Sequence, residues 1–108
     1  MTDRELIELA AKAAGIELRW HPDGTAYASN RAPGYWAVWN PLTDDGDALR
    51  LAVKLRMGLS LPVHKTIKAD VISFIDSRVN AREEGDDPYA AARRAIVRAA
   101  AEIGKAMP

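Results

Sequence analysis

The chain of 108 residues contains no cysteine. Disulfide bonds, zinc sites with cysteine ligands and thiol nucleophiles are therefore excluded. An excess of charge is also missing, because lysine plus arginine and aspartate plus glutamate both number 15. A chain with balanced charge creates no general field that attracts nucleic acid or an anionic membrane. Nucleic acid is therefore not an expected partner.

Long apolar runs are missing as well, and none approaches the roughly 18 residues of a membrane span. The opening stretch MTDRELIELA has neither the basic region nor the unbroken apolar stretch of a secretion signal. These features predict a cytoplasmic protein without a membrane partner. With 48% apolar and 28% charged residues, the composition is that of one soluble domain spanning residues 1–108.

The sequence lacks the motifs of common catalytic and cofactor sites. It contains no G-x-S-x-G elbow and no glycine-rich phosphate loop. The two histidines, His21 and His64, have no second ligand at a metal-binding spacing. We therefore expect no cofactor, no metal and no enzymatic activity. A small enzyme that acts through His64 and nearby acids is a third hypothesis, ranked below the two binding functions given at the end of this section.

The first clear element is a helix near the start of the chain. Thr2-Asp3-Arg4-Glu5 has the form of a capping box, in which a threonine hydroxyl and a glutamate satisfy each other's backbone N–H groups. Apolar residues then recur at helical spacing, and Gly15 is placed as a C-terminal cap. The pattern predicts a helix from about Asp3 to Ala14.

The pattern changes to that of strands from residue 16 to residue 39. Leu18 and Trp20 alternate with charged residues, and the following HPDG sequence has the chemistry of a turn. The apolar, aromatic run YWAVW is a further strand candidate, which Asn40-Pro41 ends. This region predicts two or three antiparallel strands.

The acidic cluster Asp44-Asp45-Gly46-Asp47 allows two interpretations, a calcium loop or the start of a helix. A calcium loop needs glycine at its sixth position and a bidentate acid at its twelfth. Counted from Asp44, these positions hold Leu49 and Leu55. We therefore interpret Thr43 or Asp44 as a helix cap, with Asp45 and Asp47 in the first turn. The predicted helix closes at Gly58 and has an apolar stripe formed by Ala48, Leu49, Ala52, Val53 and Leu55.

Residues 59–84 fit two patterns. A strand pair that turns near Lys68-Ala69-Asp70 would place Val63, Ile67, Ala69 and Val71 at one parity. A helix behind an Asp70 cap would use Val71, Ile72, Ile75 and Val79. The density of β-branched residues favours strands.

The last element predicted is a long helix that ends at about Ala106. Asp87 is placed as its N-cap and Pro88 at its first position, where the missing N–H costs nothing. Its apolar stripe consists of Tyr89, Ala92, Ile96, Ala99, Ile103 and Met107.

Two groups of residues are candidates for binding a partner. The first is aromatic and consists of Trp20, Tyr35, Trp36 and Trp39. Aromatic residues are enriched in interfaces but also fill cores. Because Trp36 and Trp39 have opposite parity, a regular strand cannot turn both toward one core. The second group is the basic face of the last helix, formed by Arg93, Arg94, Arg98 and Lys105. It is either a phosphate-contacting face or a solvated one with an Arg98–Glu102 pair.

Three stretches resemble small uncharacterised proteins encoded by phages and prophages, related to the phage α-β-α sandwich domain. They are TDRELIELAAKAAGIE, WNPLTDDGDALRLAVKL and DDPYAAARRAIVRAAAEIGKAM. The resemblance covers both ends and the middle of the chain, but not Leu59 to Arg82 or His21 to Tyr35. It implies a phage-borne origin and the fold, and it carries no activity or site residue.

Together these patterns predict an α+β domain of order α-β-β-α-β-β-α. A small antiparallel sheet would pack against three helices, in two layers or as an α/β/α sandwich. The expected function is that of a non-enzymatic phage or prophage accessory protein that binds a host or phage protein. The alternative is a nucleic-acid-associated factor that uses the basic face of the last helix.

Overall fold

The computed structural model describes residues 1–61, 69–73, 80–83 and 87–108. Within these residues the chain forms three helices and six strands. The helices are α1 (Asp3–Ala14), α2 (Asp45–Lys54) and α3 (Pro88–Ala106). The strands are β1 (Leu18–Trp20), β2 (Ala26–Ala28), β3 (Ala37–Val38), β4 (Met57–Ser60), β5 (Ala69–Ser73) and β6 (Asn80–Glu83). None of the described helices is long and apolar enough to span a membrane.

Helix α1 has the bounds that the sequence predicts. The Thr2 hydroxyl accepts a hydrogen bond from the Glu5 N–H at 3.2 Å, and the Thr2 N–H donates to the Glu5 carboxylate at 3.3 Å. Hydrogen bonds from the Thr2 N–H, and then from its hydroxyl, lower the pKa of Glu5. At the other end, Gly15 adopts the left-handed conformation with φ 70°. The predicted capping box and glycine cap are confirmed.

The acidic cluster begins helix α2, as predicted. The Asp44 carboxylate accepts a hydrogen bond from the Asp47 N–H at 2.8 Å and is the N-cap. Asp47 is only 6% exposed. Its two carboxylate oxygens accept hydrogen bonds from the Asn40 N–H at 3.0 Å and from the Arg50 guanidinium at 2.7 Å. These bonds tie the start of the helix to the chain that enters it.

The predicted end of α2 at Gly58 is wrong. The helix ends at Lys54, and Arg56 takes up a left-handed backbone conformation with φ 52°. Gly58 instead lies in β4, opposite Ile72. The helix stops because the chain must become extended at Met57 for β4 to pair with β5.

The predicted stripe on α2 is partly wrong. Ala48, Ala52 and Leu55 are buried, but Leu49 is 57% and Val53 69% exposed. Leu51 is buried in their place. Successive residues of a helix are turned by about 100°. The buried positions therefore share one arc of the helix, and the two exposed residues lie beside it.

Helix α3 is the central element of the fold and has the bounds that the sequence predicts. The Asp87 carboxylate caps it by accepting hydrogen bonds from the N–H groups of Tyr89 and Ala90. The helix packs against α1, α2, β5 and β6. Its buried positions therefore surround most of its circumference, and they are Ala91, Ala95, Ile96, Val97, Ala99, Ala100, Ala101 and Gly104. Tyr89 and Met107, at the two ends of the predicted stripe, are exposed.

Helices α1 and α3 run parallel and in close contact. Asp3 pairs with Arg94 at one end, and the Lys12 amine donates to the Met107 carbonyl at the other. Between them the backbone of Leu9 approaches Gly104, where an added Cβ would lie 2.0 Å from the Leu9 carbonyl oxygen. Small residues at the contact make this approach possible.

The strands form two antiparallel three-stranded sheets, in the orders β1-β2-β3 and β4-β5-β6. The α+β class, the three helices and the antiparallel pairing are confirmed. Among the described residues, three strands precede α2 and three lie between α2 and α3, whereas the predicted order had two strands in each place. The strands form two sheets, whereas one small sheet was predicted. The YWAVW run contributes only Ala37–Val38 to the first sheet.

The predicted turn near Lys68-Ala69-Asp70 is wrong. Ala69 and Asp70 begin β5 and pair with Glu83 and Arg82 of β6. Predictions that involve Val63, Ile67, Lys68, Ile75 and Val79 fall outside the described residues.

Candidate functional site: an aromatic surface on the first sheet

The first sheet has one buried and one solvent-facing side. In register, Leu18 pairs with Ala28 and Trp20 with Ala26, and both alanines are buried against the core. The alternate residues point the other way because successive side chains of a strand lie on opposite faces. This outer row consists of Arg19, Tyr27 and Val38 in direct register.

Trp36 joins the outer row through a cation–π contact. The Arg19 guanidinium carbon lies 3.8 Å from the centre of the Trp36 ring. Trp36 precedes β3 and has the parity of Val38, which is 56% exposed. The adjacent Tyr35 is 61% exposed. We call Arg19, Tyr27, Tyr35, Trp36 and Val38 together the aromatic surface.

The turn between β1 and β2 forms one margin of the aromatic surface. His21 contacts Tyr27 edge-on, with ring centres 6.4 Å apart, and its Nδ1 lies 3.1 Å from the Asp23 carboxylate. The Thr25 N–H, and then the Thr25 hydroxyl, donate hydrogen bonds that lower the pKa of Asp23. His21 is thus part of a hydrogen-bonded turn. His64 lies outside the described residues.

The four aromatic candidates from the sequence separate into different environments. Trp39 is only 2% exposed and donates its backbone N–H to the Ala26 carbonyl, so it belongs to the core. Its assignment as a partner-binding residue is corrected on that ground. Trp20 lies on the inner side of β1, half-buried, with the Arg4 guanidinium 4.2 Å from its ring centre. Tyr35 and Trp36 remain available to a partner.

A polar depression of about 430 Å³ lies beside Trp36. This volume is within the range of pockets that hold small ligands or a side chain of a partner. Trp36 and Ile16 are its large apolar residues, whereas Glu17, Asn30 and Lys54 supply exposed polar groups. Arg19 does not contribute to its lining. The depression therefore contacts a part of the indole that the guanidinium leaves open.

The predicted basic face of α3 is largely paired within the fold. Arg93 donates to Asp45 at 2.6 Å and to the Leu42 carbonyl at 2.8 Å. Arg94 lies 3.3 Å from Asp3, and Arg98 donates to Glu83 at 2.6 Å. Only Lys105 has no ion pair among the described residues, and it is exposed. The contact of Arg98 with Glu83, on β6, was not among the alternatives that the sequence offered.

A second exposed apolar area lies between α2, β4 and α3. The exposed apolar residues of this groove, of about 220 Å³, are Leu49, Leu59, Leu61 and Tyr89. No described aromatic–cation pair lies in it, which distinguishes it from the aromatic surface.

Neither Arg19 nor Tyr27 was a partner-binding candidate from the sequence, yet both belong to the aromatic surface. A signal for them was present in the alternation of Leu18, Arg19 and Trp20. It places Arg19 on the face opposite the two apolar residues. The contact between Arg19 and Trp36 depends on how three strands pair, and no local pattern indicates it.

No protein-family model, curated protein or solved structure matches the chain.

Proposed function

We propose that this protein is a non-enzymatic accessory protein of a phage or prophage that binds a host or phage protein in the bacterial cytoplasm. The aromatic surface is the proposed binding site. The observation that supports the proposal best is the exposure of Tyr35 and Val38 beside the stacked Arg19–Trp36 pair.

The residue types of the aromatic surface suit a protein interface. Tyrosine, tryptophan and arginine are the residues most often found at the energetic centre of such interfaces. Aromatic rings bury much area while losing few rotatable bonds. Tyr27 and Trp36 are already half-buried, so a partner would meet rings that neighbouring side chains hold in place.

The non-enzymatic part of the proposal rests on the sequence, which has no catalytic or cofactor motif. The phage origin rests on the resemblance of the three stretches named above. The alternative, nucleic-acid binding through α3, receives less support. Arg93, Arg94 and Arg98 each contact a carboxylate of their own chain, which offsets the charge available to phosphates.

Site-specific photo-crosslinking tests the proposal. A photoreactive phenylalanine analogue is placed at Tyr35, and at Tyr89 as a control. Both tyrosines are exposed, at 61% and 67%, but only Tyr35 belongs to the aromatic surface. We expect a protein from host or phage-infected lysate to be captured from position 35 alone.

The captured protein is then purified, and its affinity for the unmodified chain is measured directly. Trp36→Ala should weaken binding by about tenfold or more, because it removes a central aromatic contact. Leu49→Ala, on the other apolar area, should leave the affinity unchanged. Equal capture from both positions, or an affinity indifferent to Trp36→Ala, would overturn the proposed site.

A further inference from the structure

The five arginines on the described helices differ in their contacts from Arg19 on β1. Those on the helices are paired with carboxylates, as in Arg4–Glu8, Arg50–Asp47, Arg93–Asp45, Arg94–Asp3 and Arg98–Glu83. Arg19 differs from them, because in the described part of the chain it has no carboxylate within 4.0 Å and is stacked on Trp36. Lys54, across the depression, also has no ion pair with a described residue. Trp36 therefore contacts Arg19 and lines the same depression as Lys54, and neither cation has an ion pair among the described residues.

Stacking on Trp36 prepares Arg19 for an anionic group. A guanidinium that lies flat on a ring keeps its N–H donors in its own plane, at the edge, where they can meet both oxygens of a carboxylate. The ring also restricts the side chain before binding, which reduces the entropy lost in a complex. Glu17 lines the same depression as Lys54. Around the depression, the charges of Arg19, Lys54 and Glu17 together are positive. Glu17 would, however, repel a partner segment made of acidic residues alone.

We infer that the partner's contact with the aromatic surface is an acidic segment with an apolar or aromatic residue between its carboxylates. The inference rests on the proposed function and adds the chemistry of the partner. The apolar side chain enters the depression and packs on Trp36 and Ile16. The flanking carboxylates meet Arg19 on one side and Lys54 on the other.

Three short fluorescein-labelled peptides of equal length test this inference by fluorescence anisotropy. The first carries glutamates around a central leucine, the second lysines in their place, and the third glutamines. At low salt, about 50 mM, we expect the acidic peptide to bind about tenfold more tightly than the lysine peptide, and more weakly as salt screens the charges.

A charge reversal makes the test specific to this site. In Arg19→Glu/Lys54→Glu the order of the peptides should invert, so that the lysine peptide binds more tightly. Lys105→Glu changes an exposed cation at the end of α3 and should keep the original order. In the otherwise unchanged protein, Trp36→Leu should weaken the binding of the acidic peptide. In NMR spectra, the acidic peptide should shift the Trp36 indole N–H signal and not that of Trp39.

Other results would overturn the inference. They are equal binding of the three peptides, an order that the double reversal leaves unchanged, or tighter binding of labelled single-stranded DNA that depends on Trp36. The last result would assign the surface to nucleic acid. If the crosslinked partner depends on Trp36 but tolerates the double reversal, the acidic segment is wrong and the proposed function stands. If the partner is indifferent to Trp36→Ala, the proposed function itself fails.

Discussion

The Asn40 backbone N–H donates a hydrogen bond of 3.0 Å to the Asp47 carboxylate, across the first turn of α2. Asp47 is buried and also binds Arg50. Its side chain therefore joins the loop that follows β3 to the first turn of α2. The acidic cluster Asp44-Asp45-Gly46-Asp47, which resembles a metal site in the sequence, therefore has a structural role at the start of α2.

Asp47→Ala should therefore destabilise the protein. The substitution leaves the Asn40 N–H without its acceptor in a part-buried position, which costs about 1–3 kcal/mol. The free energy of unfolding in urea measures the loss. Asp44→Asn is the control, because asparagine also caps a helix, and it should cost less than about 0.5 kcal/mol. Similar losses in the two variants would contradict the separate roles given to these carboxylates.

Calcium and magnesium should leave the protein unchanged. Asp44 and Asp47 are engaged with backbone N–H groups and Arg50, and no group of three or more metal-ligating side chains occurs among the described residues. Isothermal calorimetry with either ion should give no stoichiometric heat, and the melting temperature should not depend on the ion. A saturable heat lost in Asp44→Asn/Asp45→Asn would show that the cluster binds metal.

The two helical glycines should respond in opposite directions to alanine. At Gly104 a Cβ would meet the Leu9 carbonyl oxygen at 2.0 Å, so Gly104→Ala must push α1 from α3 and should cost about 1–3 kcal/mol or more. At Gly46 the nearest atoms belong mainly to the flexible end of Arg50, at 3.1 Å and 3.2 Å. Gly46→Ala should be neutral or stabilising by up to about 1 kcal/mol. Thermal unfolding of both variants decides the matter, and a tolerated Gly104→Ala would show that the two helices can separate without loss.

The core position Ile96 should be far more sensitive than Leu49. Ile96 is 4% exposed, and truncation to alanine should cost about 2–5 kcal/mol. Leu49 belonged to the predicted stripe of α2 but is 57% exposed, so Leu49→Ala should change stability by less than about 0.5 kcal/mol. Denaturation midpoints give the comparison. A large loss at Leu49 would mean that its side chain is covered in solution.

The capping box of α1 should contribute a small dependence of stability on pH. The folded pKa of Glu5 is lowered by its hydrogen bonds with Thr2. Its contribution is therefore present above the ordinary glutamate pKa of about 4.3 and is lost as the pH falls through the lower, folded value. The stability difference between wild type and Glu5→Gln should shrink over that acidic range. A difference that stays constant from pH 7 to pH 3 would contradict the role of the carboxylate.

Local signals account for the parts of the fold that the sequence predicts well. The Thr2–Glu5 box, the Gly15 cap and Asp87-Pro88 each fix a helix end through atoms a few residues apart. The end of α2 was missed because it depends on pairing of Met57 with Ser73, which is a distant strand. The left-handed backbone conformation of Arg56 could not be predicted from its residue type, because glycine is the residue that favours this conformation.

The aromatic surface was predictable only in part, for the same reason. Opposite parity indicates that Trp36 and Trp39 face different sides, but it does not say which one is buried. Trp39 is in the core because its N–H pairs with the carbonyl of Ala26 on the neighbouring strand. The pairing of Arg94 with Asp3, across 91 residues of sequence, likewise had no local sign. A basic face was therefore expected where the fold has ion pairs.

The contact between α1 and α3 has a consequence for the order of events during synthesis. The residues that join these helices lie 91 and 95 positions apart. At about 5–20 residues per second, α1 emerges from the ribosome roughly 5–20 s before its partner helix exists. During that interval the side of α1 carrying Leu6, Ala10 and Ala14 has no α3 to cover it. For that time the apolar side of α1 is exposed surface of an incomplete fold, the kind of surface that makes folding intermediates prone to aggregation.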